Sequence, residues 1–276
     1  MRGLFAAPDD EASAAAHGSP HLGAVTFRVL TDYDLETVIK MLEETGYEAV
    51  ELRTGNKHGV EPSISQSARA DVKQRFARSK VRLLSYGTEC EFHSPDAAER
   101  QRQVEIGKTF VDLAHDTGAL GVKVRPNALP EGVAADVTLD HIAMCLQTLA
   151  DYAQPKGVEI WVEIHGEGTA DPKMMARMME AAKRRNVGVC WNTNDTDVTN
   201  GSVKPGFDAL LPWLKNVHMR DLTDQYPWHE FFRLIHASGY NRYMLCEAQG
   251  NPQSERFLKW YKALWTEYNR NAVCTA

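Results

Sequence analysis

From residue 23 onward the chain alternates two hydrophobic patterns. Short runs in which every second residue is apolar mark strands, and longer runs with apolar residues every three or four positions mark amphipathic helices. The period-two runs fall at 23–27, 49–53, 81–86, 121–125, 158–166, 187–192, 216–220 and 243–247. The helical runs fall at 35–44, 69–78, 97–115, 139–152, 172–185, 207–211, 228–237 and 253–268. Gly46 and Gly118 stop the first and third helices, and Asp171 followed by Pro172 gives the fifth a cap and a first-turn proline.

Eight strand–helix units in strict alternation predict an α/β protein, a single (β/α)8 TIM barrel over 23–276 behind a flexible tail at 1–22. A doubly wound sheet is the alternative, and the absence of G-x-G-x-x-G after the first strand counts against it. Two apolar stripes read as packing rather than as binding surfaces. One is Met174, Met175, Met178 and Met179; the other is Phe257, Leu258, Tyr261, Leu264, Trp265 and Tyr268.

One strand asks for a partner. In V-E-I-W-V-E-I-H-G, residues 158–166, Val158, Ile160, Val162 and Ile164 share one face, while Glu159, Trp161, Glu163 and His165 share the other. Burying Glu163 and His165 on one side without a compensating group is costly, so the strand is expected to end in chemistry.

Composition narrows the partners. A chain of 276 residues, 43% hydrophobic and 25% charged, can bury one large core. The net charge of -6 supplies no basic patch for phosphates, which argues against nucleic acid and leaves small polar molecules open. No apolar run approaches the length of about 18 residues needed to span a bilayer, so no membrane partner is expected. A cytoplasmic location follows, unless Leu4 to Ala7 is the remnant of a removed export signal, which would place the protein in the periplasm. Homo-oligomerisation stays open. The five cysteines form no CxxC pair and read as plain thiols, Cys274 being the exposed one.

In a barrel, residues at the C-terminal ends of the strands converge on one mouth. The fifth strand ends at Glu163, the sixth at Asn192, the seventh at His218 and the eighth at Glu247, each about one strand and one helix apart. Two carboxylates, an amide oxygen and an imidazole suit one divalent metal ion, Mn²⁺, Mg²⁺ or Co²⁺ by hardness, with Zn²⁺ also compatible. A lone strand-end histidine is usually structural; four ligand types in consecutive units make a site the better reading.

These strand ends carry a resemblance. E-I-H-G at 163–166, V-G-V-C-W-N-T-N-D at 187–195, N-V-H-M-R-D at 216–221 and S-G-Y…M-L-C-E at 238–247 resemble the xylose-isomerase-like barrel superfamily of sugar phosphate isomerases and epimerases. E-L-R-T-G-N-K-H-G-V-E-P at 51–62 and V-K-V-R-P-N at 122–127 resemble a bacterial branch of that group. The resemblance implies metal ligands at Glu163, Asn192, His218 and Glu247. The family has Asp where this chain has Asn192, and His where it has Asp195. One negative charge is lost, which weakens metal affinity unless Asp195 takes over.

The implied chemistry is isomerisation or epimerisation by proton abstraction beside a carbonyl, with Glu163 and Glu247 as acid and base and the metal stabilising an enediolate. Arg53, Lys123, Arg125 and Arg220 have inward parity and are expected to bind hydroxyls, a carboxylate or a phosphate, or else to form structural ion pairs, with Glu51 a partner for Arg53 or Lys123. His165 would orient the substrate or the metal shell. His58, Glu91 and His93 sit in loops on the active side within reach of substrate, and Trp191 and Trp228 are candidates for an apolar wall, with packing the plainer use of Trp191. The same parts would serve a lyase or dehydratase acting on a keto-sugar or 3-keto-glycoside. A multi-metal endonuclease-like hydrolase lacks its histidines here, and a sugar-binding barrel without turnover is the non-enzymatic alternative.

Overall fold

The computed structural model describes residues 19–274. Leu4 to Ala7, the stretch read above as an alternative export-signal remnant, and most of the expected tail lie outside the described residues. Within them the chain forms a closed barrel of parallel strands. These are β1 (His21–Val25), β2 (Ala49–Arg53), β3 (Arg82–Glu91), β4 (Gly121–Arg125), β6 (Glu159–Glu163), β8 (Val187–Asn192), β9 (Leu214–Met219) and β10 (Tyr243–Cys246), with β10 pairing with β1 to close the ring. Two further short strands, β5 (Asn127–Ala128) and β7 (Gly166–Glu167), pair with each other just beyond β4 and β6. The first strand begins at His21, inside the stretch assigned to the tail, because His21 hydrogen-bonds the backbone oxygen of Arg242 and falls in register with Tyr243.

The helices are α1 (Leu35–Thr45), α2 (Gln66–Ala77), α3 (Ala97–Thr117), α4 (Ala135–Ala153), α5 (Pro172–Ala182), α6 (Lys204–Leu210), α7 (Trp228–Ala237) and α8 (Ser254–Cys274). Their ends follow local chemistry. Asp34, Asp96 and Asp171 accept hydrogen bonds from first-turn amides, and Gly46 and Gly118 take the left-handed conformation that ends α1 and α3. Among the described residues no helix is long and apolar enough to cross a membrane.

Strand parity divides the core in two. Val122, Val124, Ile160, Val162, Val189 and Val217 face outward into the main core beneath the helices, where Met175, Met178 and Met179 also pack. The inward residues Val25, Ala49, Leu84, Trp161, Cys190 and Leu245 make a separate apolar plug inside the barrel. Gly121 is needed for that plug, because a Cβ there would stand 2.7 Å from the Trp161 indole. β3 runs to Glu91, beyond the expected end at 86, since no breaker interrupts T-E-C-E; its register with β4 shifts between Gly87 and Glu91. Trp191 and Trp228 are buried in an aromatic cluster with Phe207, Phe231 and Tyr226, which removes both from any sugar-binding wall.

Candidate active site

The inward side chains above the plug are polar. Pairing sets their heights: Asn192 stands level with His218, Glu163 pairs with Cys190 two residues below Asn192, and His218 pairs with Leu245 two residues below Glu247. The stagger of a closed barrel thus brings four strand ends to one place.

His218 is at the centre. Its Nδ1 lies 3.6 Å from Glu163 Oε1 and 3.4 Å from Glu247 Oε2, while Nε2 lies 3.4 Å from Glu51 Oε1. The ring is fully buried and neither nitrogen has a hydrogen-bond partner. Burial opposes charge on it, yet Cys190, Glu51 and Glu247 facing it raise its pKa well above the ordinary histidine range. The carboxylates are the physical cause, because burial pushes the Cys190 thiol up to about 11 and keeps it neutral.

Glu163 has both oxygens engaged. Lys123 Nζ lies 2.5 Å from Oε2, with both side chains 4% exposed. Asn192 Nδ2 donates to Oε1 at 3.3 Å. Burial raises the Glu163 pKa, but Lys123 and His218 outweigh it and hold the carboxyl well below its usual range. Burial likewise opposes the Lys123 charge, and Glu163, Glu51 and Glu247 more than restore it. Glu51, fully buried, accepts from Ser85 Oγ at 2.7 Å. Glycine at 87 makes room for it, since a Cβ there would stand 2.6 Å from Glu51 Oε1. Glu247 differs from Glu163 in reaching solvent, its side chain being 17% exposed.

The donor set fits a metal ion. Ligand atoms of Glu163, His218 and Glu247 lie within 4.8 Å of one another. Ligands sit about 2.0–2.2 Å from a small divalent ion and hence about 3.0–3.6 Å apart, the spacing found around Nδ1. The unpartnered nitrogen between two carboxylates is the observation that carries the fit. Asn192 would have to turn its amide so that Oδ1 rather than Nδ2 faces the centre. Asp195 is not among these donors: it is 88% exposed and bonded to Arg220 at 2.8 Å, so the alternative that it replaces the lost charge is set aside.

The rim cations are all matched. Arg53 pairs with Glu89 at 2.7 Å, Arg125 with Glu91 at 2.6 Å, and Arg220 with Asp195 while stacking over the Tyr226 ring. A cleft of about 460 Å³ lined by Thr54, Glu89, Glu91, Arg102, Gln103 and Arg125 opens beside the first two pairs. His165 Nδ1 bonds Asn127 Oδ1 at 2.8 Å, tying the two short outer strands. His93 stands 4.0 Å from Glu91 with Nδ1 unpartnered. His58 is a loop fastener: Val60 N–H donates to Nδ1, so Nε2–H donates to the Arg53 carbonyl and neither nitrogen is left for substrate. Parity missed two partners: Glu51 for His218, a contact that crosses the barrel from β2 to β9, and Glu163 for Lys123, which reaches over from the adjacent strand β6 to β4.

The profile of a family described as the xylose isomerase-like TIM barrel matches residues 39–264. No curated protein matches the sequence. Among solved structures, an L-ribulose 3-epimerase superposes with a TM-score of 0.79 at 15% identity, covering 93% of this chain and 96% of the other. A 3-keto-D-glucoside 4-epimerase from E. coli gives 0.74 at 11% identity, covering 90% and 100%. An IOLI protein with a bound zinc atom gives 0.71 at 14% identity, covering 92% and 98%. At these identities the likeness is one of fold.

Proposed function

This chain belongs to the xylose isomerase-like TIM-barrel family, and we propose that it is a sugar isomerase or epimerase that moves a proton beside a carbonyl. The observation that carries the reading is the buried His218 Nδ1, without a hydrogen-bond partner, between the carboxylates of Glu163 and Glu247. Glu163, His218 and Glu247, with the Asn192 amide oxygen, would hold one divalent ion. When bound, that ion supplies a positive charge against which negative charge on the substrate's oxygens is stabilised. The solved structures that superpose on this chain include epimerases of ribulose and of a keto-glucoside, and one neighbour holds zinc, which supports the substrate class and the ion.

The chain's own groups divide the proton work. Epimerisation needs one carboxylate to take the proton and a second group to return one to the opposite face. Lys123 holds Glu163 ionised, the form a carboxylate must be in before it can take a proton. Glu247, on the other side of His218 Nδ1 and in contact with solvent, is the second carboxylate of the pair. The Arg53–Glu89 and Arg125–Glu91 pairs offer donor and acceptor side by side, the pattern that sugar hydroxyls require. The apolar plug below the site and Trp161 within it close the barrel to water from the other end.

Incubation with a panel of ketoses and 3-keto-glycosides in deuterated water tests this. The expected result is an isomer or epimer carrying solvent deuterium at the carbon beside the carbonyl. An eliminated product with loss of a β-substituent would convert the assignment to a lyase, and no exchange with any carbohydrate would remove it.

A further inference from the structure

Lys123 is the feature of the site that its chemistry leaves unexplained. It stands at the inward face of β4, 4% exposed, with its ammonium 2.5 Å from Glu163 Oε2 and facing Glu51 and Glu247 as well. A lysine buried this deeply keeps its charge only because carboxylates surround it. Glu163 belongs at the same time to the three side chains whose donor atoms converge within 4.8 Å. One carboxylate is therefore claimed by two cations.

The charge balance sharpens the point. Ionised Glu163 and Glu247 give the donor set two negative charges, His218 is neutral when it serves as a ligand and gives none, and Asn192 contributes a dipole only. An ammonium in contact with one of the two carboxylates offsets part of what a divalent ion would use. Asn192 adds to the effect, because its Nδ2 rather than its oxygen now faces Glu163. In the absence of an ion, Lys123 and His218 stand among the carboxylates of Glu51, Glu163 and the partly exposed Glu247 and offset their mutual repulsion.

On the reading of a metal-holding site given above, we propose that Lys123 is a built-in cation that competes with the divalent ion for Glu163, so that the site binds its ion weakly and exchangeably. Removing the lysine charge frees Glu163 Oε2 and should tighten ion binding, while making the ion-free protein less stable. Outer partners of metal ligands typically change affinity about 10–100-fold, which sets the scale.

Calorimetric titration of the purified protein with Mn²⁺ alone, and with Co²⁺ followed by its visible absorption, provides the test, with thermal unfolding recorded in parallel. Lys123→Met should bind either ion at least about tenfold more tightly than wild type and gain more in melting temperature on adding ion. Lys123→Arg keeps the charge and should stay within about threefold of wild type. If Lys123→Met does not fold, Lys123→Gln, neutral but still able to donate to Glu163, carries the same expectation. Wild type that binds ion while the neutral variants bind no tighter would overturn this inference and leave the metal site standing. Wild type and all variants failing to bind either ion would overturn the metal site and this inference together.

Discussion

The two ends of the barrel interior treat inward-facing charge in opposite ways. At the lower end Glu159 accepts from Trp161 Nε1 at 2.8 Å and from Arg242 at 2.5 Å, with Lys215 at 3.4 Å; every charge has a partner in good geometry. At the upper end both nitrogens of His218 and Glu51 Oε1 are buried without a hydrogen bond, although opposite charges stand 3.4 Å away. Both ends lie on the same strands and share the same plug. A buried polar group left unsatisfied costs free energy, so an arrangement that satisfies one end and not the other marks the second as the place where something else binds. The same inward glutamates, Glu159 and Glu163, sit four residues apart on β6 with different duties.

Substitutions should separate the ends. The largest effect belongs to the upper one: Glu247→Gln should lower kcat by about 10²–10⁴-fold, measured on the substrate found by the deuterium assay, with little change in melting temperature. The lower end should show the reverse. Glu159→Ala leaves Trp161 Nε1 without its acceptor and Arg242 with only the Lys215 carbonyl, and should cost about 2 kcal/mol in denaturant unfolding while kcat stays within about threefold. Loss of activity without loss of stability in the second variant would erase the distinction.

A smaller effect lies beside the mouth, at Asp197. Its Oδ2 accepts from Tyr226 and from the Asn194 amide, but Oδ1 has no partner, and burial pushes its pKa up to about 7. The folded protein then binds this proton more tightly than the unfolded chain, whose carboxyl titrates near 3.8. Stability from this group is full at acid pH and falls as pH rises from about 4 through about 7. Asp197→Asn should flatten that decline, seen as a melting-temperature difference that favours the variant increasingly toward pH 8. Parallel curves for the two proteins would remove Asp197 as the source.

Much of this was readable along the chain. The period-two and helical patterns gave eight units; β2, β4, β8 and α7 begin and end where those patterns do, because caps, glycines and alternating burial are local properties. The strand ends Glu163, Asn192, His218 and Glu247 were identifiable by parity, since alternation alone turns them inward. What parity could not rank was Lys123, Arg53 and Arg125, three cations with the same inward phase. Their partners are Glu163 on the neighbouring strand β6 and Glu89 and Glu91 in the extension of β3 past residue 86.

The sequence by itself determined the barrel, which side of each strand faces inward, and which residue types crown it, because periodicity and turn chemistry act over a few neighbouring residues. Only the tertiary structure decided that Lys123 reaches Glu163, that Glu51 stands behind His218, that Asp195 turns away to the rim and that His58 is consumed by its own loop. The first three depend on barrel stagger and on side-chain reach between strands, and the last on the conformation of one loop, and none of these leaves a period-two or helical pattern.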